Sequence, residues 1–128
     1  MEDFGSVAEK ARVYRNQVVE NMPETFEKFS KKGLEKHGIY KAVEETPKIL
    51  YSYAEKYFDE QGKDTRSQMV IQFLDISEES KKFLRELLGF RTFLVADYDG
   101  INDKEFFENF EENLTKFDKL LEELENFF

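Results

Sequence analysis

The chain has 128 residues, no cysteine, one histidine and a formal net charge of −9. The missing cysteines exclude disulfides, thiol nucleophiles, thiolate zinc sites and iron–sulfur clusters, and a lone imidazole excludes a multi-histidine site within the chain. Six glycines and two prolines are too few for a turn-rich β-sandwich.

Phe4, Val7, Ala8, Ala11, Tyr14, Val18 and Met22 recur at three- and four-residue steps, which predicts a helix from Asp3 to about Asn21. Asn21 reads as the N-cap of a second, shorter helix, with Pro23 in its first turn, Phe26 and Phe29 on its apolar side, and Gly33 as its stop. Residues 33–46 hold Gly33, Gly38 and His37 and read as the loosest part of the chain. Thr46-Pro47 reads as a restart, a cap followed by proline at the first helical position. Leu50, Tyr53, Ala54, Tyr57 and Phe58 then share one face, and Gly62 ends that helix.

Between Met69 and Ile76 two patterns compete. Met69, Val70, Phe73 and Leu74 fit a helix capped by Asp64, whereas Met69, Ile71 and Phe73 fit a strand. The helical neighbours favour the helix. Ser77 opens the next helix, with Glu78 and Glu79 in its first turn, where the helix dipole favours acids. Phe83, Leu87, Phe90 and Leu94 form one row, and Leu84, Leu88 and Val95 another. Leu87, Phe90 and Leu94 are expected to be nearly fully buried. Gly89 is the weak point, and the rival reading breaks there to make residues 90–96 a strand.

Asp97 to Gly100 form a turn, and Asn102 with Glu105 resembles a capping box for a last helix running from Asp103 to the end. In that helix Phe107, Phe110, Leu114, Phe117, Leu121, Leu124 and Phe128 follow a heptad rhythm. Leu120 and Phe127 widen the stripe, and Glu111, Asp118 and Glu125 form an acidic row beside it. Such a stripe suits packing against two neighbouring helices, including those of a second copy. The predicted fold is a single all-α domain over residues 1–128, a bundle of five or six helices with a long C-terminal helix. The alternative is an α+β fold with short strands near 69–76 and 90–96.

Candidate sites are few. Phe93-Leu94-Val95-Ala96-Asp97-Tyr98-Asp99-Gly100 resembles the first motif of haloacid-dehalogenase-type phosphotransferases, an apolar strand ending in Asp-x-Asp-Gly. The resemblance implies that Asp97 is a nucleophile and Asp99 an acid–base group. Ile101 stands where that family has Thr or Val, and the residues after Gly100 read as one helix where that fold needs most of its sheet. Asp97, Asp99, Asn102, Asp103 and Glu108 are oxygen donors close in sequence, with Asp97, Asp99 and Asp103 as candidate cation ligands. In an EF-hand register Asn102 would occupy the obligatory glycine position, so the same residues read first as caps of the final helix. His37, near Lys31, Lys32, Lys36 and Lys41, could serve as a general base or join a small anion-binding patch, but reads first as an exposed loop histidine. Tyr40, Tyr51, Tyr53 and Tyr57 cluster, and Tyr51 points off the apolar face, where tyrosine often meets a partner.

Residues 101–128 hold three basic and nine acidic side chains, so most of the negative charge lies near the C-terminus. The chain shows no basic and apolar leader and no apolar run long enough to cross a bilayer, which predicts a cytoplasmic protein that touches no membrane. These features together favour a non-enzymatic, acidic, helical interaction module or small subunit that self-associates and uses no cofactor. Its expected interface is Phe107, Phe110, Leu114, Phe117, Leu121, Leu124, Phe127 and Phe128 with Tyr51. Arg12 and Arg15 would pair with the acidic row of the second copy. A basic protein partner suits the surface, and direct nucleic-acid binding does not. Two alternatives are a metal- or phosphate-dependent enzyme using Asp97 and Asp99, and an acidic mimic of nucleic acid that inhibits a basic partner.

Overall fold

The first helix, α1 (Phe4–Asn21), begins at Asp3, whose carboxylate accepts the Ser6 N–H at 2.8 Å. Its buried side chains are Phe4, Val7, Ala8, Ala11 and Val18, the face its spacing predicts. The computed structural model describes residues 2–31, 33–66, 69–96 and 103–128. Every regular element among them is helical, and there are seven.

Helix α2 (Phe26–Lys31) starts later than Pro23. Thr25 caps it instead of Asn21, its hydroxyl accepting the Lys28 N–H at 3.3 Å. Asn21 closes α1 by donating its amide to the Gln17 carbonyl at 2.7 Å.

The largest departure from expectation is α3 (Leu34–Glu60). Residues 34–46 are helical, and the helix runs through Pro47. Ile39, Tyr40, Ala42, Thr46, Leu50, Ala54 and Phe58 are all buried, so the apolar period crosses the proline unbroken. Proline lacks an N–H, so the Val43 carbonyl has no partner in the helical ladder. The Thr46 hydroxyl adds a bond to the Ala42 carbonyl at 2.9 Å, just before the gap. Burial of this face outweighs both Gly38 and Pro47. The helix ends as predicted at Gly62, with φ of 77°. Gly62 N–H donates to Asp59 and Lys63 N–H to Phe58, the paired bonds of a Schellman stop.

Helix α4 (Met69–Phe73) settles residues 69–76 against a strand. Val70 and Ile71 are its buried side, and Leu74 is buried just beyond its end. Asp64 does not cap it, because that carboxylate holds Arg66 at 2.9–3.0 Å. Helix α5 (Glu78–Ala96) starts at Ser77, whose hydroxyl accepts the Ser80 N–H at 3.2 Å, and it passes Gly89 without a break. The strand reading of 90–96 therefore fails. Leu84 and Leu88 are buried while Leu87 is only half-buried, which turns the helix slightly from its predicted face. The side chains of Phe90 and Leu94 lie outside the described part.

The C-terminal segment is two helices, α6 (Asp103–Glu108) and α7 (Phe110–Phe127), meeting at Asn109. The break is small: Asn109 N–H still reaches the Glu105 carbonyl at 3.1 Å, and Asn113 N–H reaches Asn109 at 2.9 Å.

Helix α1 lies along α3, α3 against α5, α5 against α7, and α7 closes on α1, while α2 packs on α6 at one end. Two apolar clusters result. The larger holds Leu50, Phe58, Leu84, Leu120 and Leu124. The smaller holds Val18, Phe29, Ile39, Tyr40 and Ala42, with Phe106, Phe107 and Phe110 packed against it. No helix among the described residues is long and apolar enough to cross a membrane.

Candidate functional site

Near the smaller cluster, α1, α3, α5, α6 and α7 line a half-open cavity of about 700 Å³. Val18, Val43, Phe83, Leu87, Phe106, Phe110, Leu114 and Phe117 give it an apolar lining. Arg15, Glu86, Glu105, Glu112, Lys116, Asn109 and Asn113 supply its polar atoms. Asn109 and Asn113 are one helical turn apart, so their amides project from one side of the α6–α7 junction. Their side-chain amides make no hydrogen bond among the described residues.

The α2–α3 corner packs on α6, with Phe29 against Phe106 of the lining. Residues 28–41 carry five lysines and one glutamate, a local reversal of the overall charge. Lys28 and Lys31 are exposed. His37 is exposed on the first turn of α3, not in a loop, and its N–H donates to the Gly33 carbonyl at 3.3 Å. Lys36, Tyr40 and Val43 follow at four- and three-residue steps along α3, leading from the lysines to the cavity wall.

That path is locked by Asp103. Its carboxylate takes the Lys36 ammonium at 2.6 Å and the hydroxyl of Tyr40, a side chain only 1% exposed. The predicted cation ligand is thus the clamp between α3 and α6, with its oxygens already engaged. Asp97, Asp99 and Asn102 lie outside the described residues. No group of three or more His, Asp or Glu that could hold a metal occurs among the described residues.

The expected partner surface is divided. Phe117, Leu121 and Leu124 are buried inside the chain. Phe128 lies with its ring 4.9 Å from Phe4, Tyr53 and Tyr57, and Phe127 packs on Tyr57 and Phe58. The aromatic pair at the C-terminus therefore packs on α1 and α3 of the same chain and stays half-buried. Tyr51 also packs against the larger cluster, contrary to its predicted outward direction. Phe107, Phe110 and Leu114 stay half-buried, and the latter two line the cavity.

The predicted arginine pairs form within one chain. Arg15 binds Asp118 through two bonds of 3.0 Å, and Arg12 meets Glu125. The Asp118 hydrogen bond raises the affinity of Arg15 for its proton. On the opposite face of α7 from Asp118 and Glu125, Glu123 closes the start of α5. It accepts Ser77 N–H and Ser77 Oγ at 3.1 Å each, and the hydroxyl of buried Ser80. Burial alone would push its carboxyl up, but the bonds from Ser80 and Ser77 together hold it below the usual carboxylate range. Sequence reasoning missed this group, because its partners lie on another helix.

A model of the ribonuclease HepT-like family matches residues 11–124, most of the chain, and the chain belongs to that family. No curated protein and no solved structure gave a match. Membership in a ribonuclease family overturns the expectation of a non-enzymatic interaction module. That expectation rested on total charge and the absence of a recognisable catalytic cluster, and neither reports a site whose residues come together only in the fold.

Proposed function

We propose that this chain is a ribonuclease that cuts single-stranded RNA. The observation that carries the reading is the family match over residues 11–124. The lysine-rich corner supports it, because a chain with net charge −9 needs a local cationic surface to hold a phosphate backbone. In this reading the chain does touch nucleic acid, and Lys28 and Lys31 are the exposed contacts.

RNA brings its own nucleophile. The 2′-oxygen attacks the adjacent phosphorus as its proton leaves to a base, and the bond to the 5′-oxygen breaks as that oxygen gains a proton. The products are a 2′,3′-cyclic phosphate and a 5′-hydroxyl, with atoms and charge balanced. Negative charge on the non-bridging oxygens is where nearby ammonium groups act.

The test is incubation of the purified chain with a labelled single-stranded RNA and with DNA of the same sequence. RNA should be cut and DNA left whole. Lys28→Ala with Lys31→Ala should weaken binding and reduce the slope of log affinity against log salt by about 1.4, at roughly 0.7 per contact. Intact RNA after prolonged incubation with folded protein would refute the reading.

A further inference from the structure

We infer that the cavity between α3, α5 and the α6–α7 junction receives one unpaired adenine of the RNA. The inference rests on the ribonuclease reading and adds a base site to it. At about 700 Å³ the cavity is within the roughly 300–1,000 Å³ typical of small-ligand sites. Single-stranded RNA is commonly recognised by splaying a base out, laying it against aromatic rings and bonding its edges. The half-buried rings of Phe106 and Phe110 line the wall and offer the stacking surface.

The polar atoms select the base. The amides of Asn109 and Asn113 make no hydrogen bond among the described residues, and each offers a donor and an acceptor. That pairing complements the N6 amine and N7 of adenine. Glu86, Glu105 and Glu112 outnumber Arg15 and Lys116 in the lining, and their carboxylates accept from a base that presents an amine and repel the carbonyls of uracil. In this arrangement the backbone is held at the lysine corner while the base enters.

The test is fluorescence anisotropy of the whole chain with 2′-O-methyl oligoadenylate and oligouridylate of equal length, which lack the 2′-hydroxyl nucleophile. Oligoadenylate should bind roughly tenfold more tightly. Asn113→Leu, checked for helix content, should bring the two close to parity, and Asn109→Ala serves if the first variant fails to fold. Lys28→Ala should weaken both ligands alike. Equal binding of the two by the wild type, a preference for another base, or a preference that survives both asparagine variants would overturn the adenine site while leaving RNA cleavage intact. A wild type that neither binds these ligands nor cuts RNA would overturn the ribonuclease reading as well.

Discussion

Glu123 shows how much one side chain can organise here. It is the acceptor for the start of α5, contributed by α7, and its carboxyl is held below the usual range against the opposing effect of burial. A carboxyl lowered in the folded state adds stability above its unfolded value, and that stability is lost as pH falls through the folded value. Melting of the wild type should therefore decline as pH drops from about 5 toward about 3. Glu123→Gln should be less stable near neutrality and show a shallower acid decline. An unchanged acid slope in the variant would mean that other carboxyls carry it. The start of α1 near Asp3, the Ser77 start and the Gly62 stop were legible in the sequence because such signals are local. Glu123 was not, since the serines it holds are more than forty residues away along the chain.

At the scale of elements, two comparisons test the helices. Gly89 sits inside α5, and an added Cβ would meet nothing within 4 Å. Gly89→Ala should therefore raise stability by about 0.5–1 kcal/mol in urea unfolding. A loss would mean that the helix is not regular there. The Arg15–Asp118 pair joins α1 to α7 within one chain. A double-mutant cycle with Arg15→Ala and Asp118→Ala should give a coupling of about 0.3–1 kcal/mol, as partly exposed pairs do. It should not vary with protein concentration, whereas a bond between copies would. The pairing itself was legible from the acidic row of the last helix, but spacing cannot say which copy supplies the arginines. Two of the misread boundaries have opposite causes. At Pro47 the local restart signal was overruled by continuous burial from Ile39 to Phe58. At Asn109 no strong breaker marks the end of α6, so the heptad rhythm concealed it.

For the whole molecule, the helical class followed directly from periodicity, while function did not. Net charge is an average, and it was weighed above the five lysines between residues 28 and 41, most of which the sequence already grouped around His37. The terminal apolar stripe was read as surplus for a partner, yet α1, α3 and α5 absorb its second half as core. What remains half-buried, Phe110 and Leu114 among them, borders the cavity next to the lysine corner. A surface seen as an interface is thereby placed at the candidate site. The central claim, that this member of a ribonuclease family cuts RNA, is tested most directly by one time course. Purified wild type and the Lys28→Ala, Lys31→Ala variant are mixed separately with the same end-labelled single-stranded RNA at low salt. The account predicts that the wild type converts the RNA to shorter fragments ending in cyclic phosphate, and that the variant does so more slowly. RNA that remains full-length with a correctly folded wild type would contradict it.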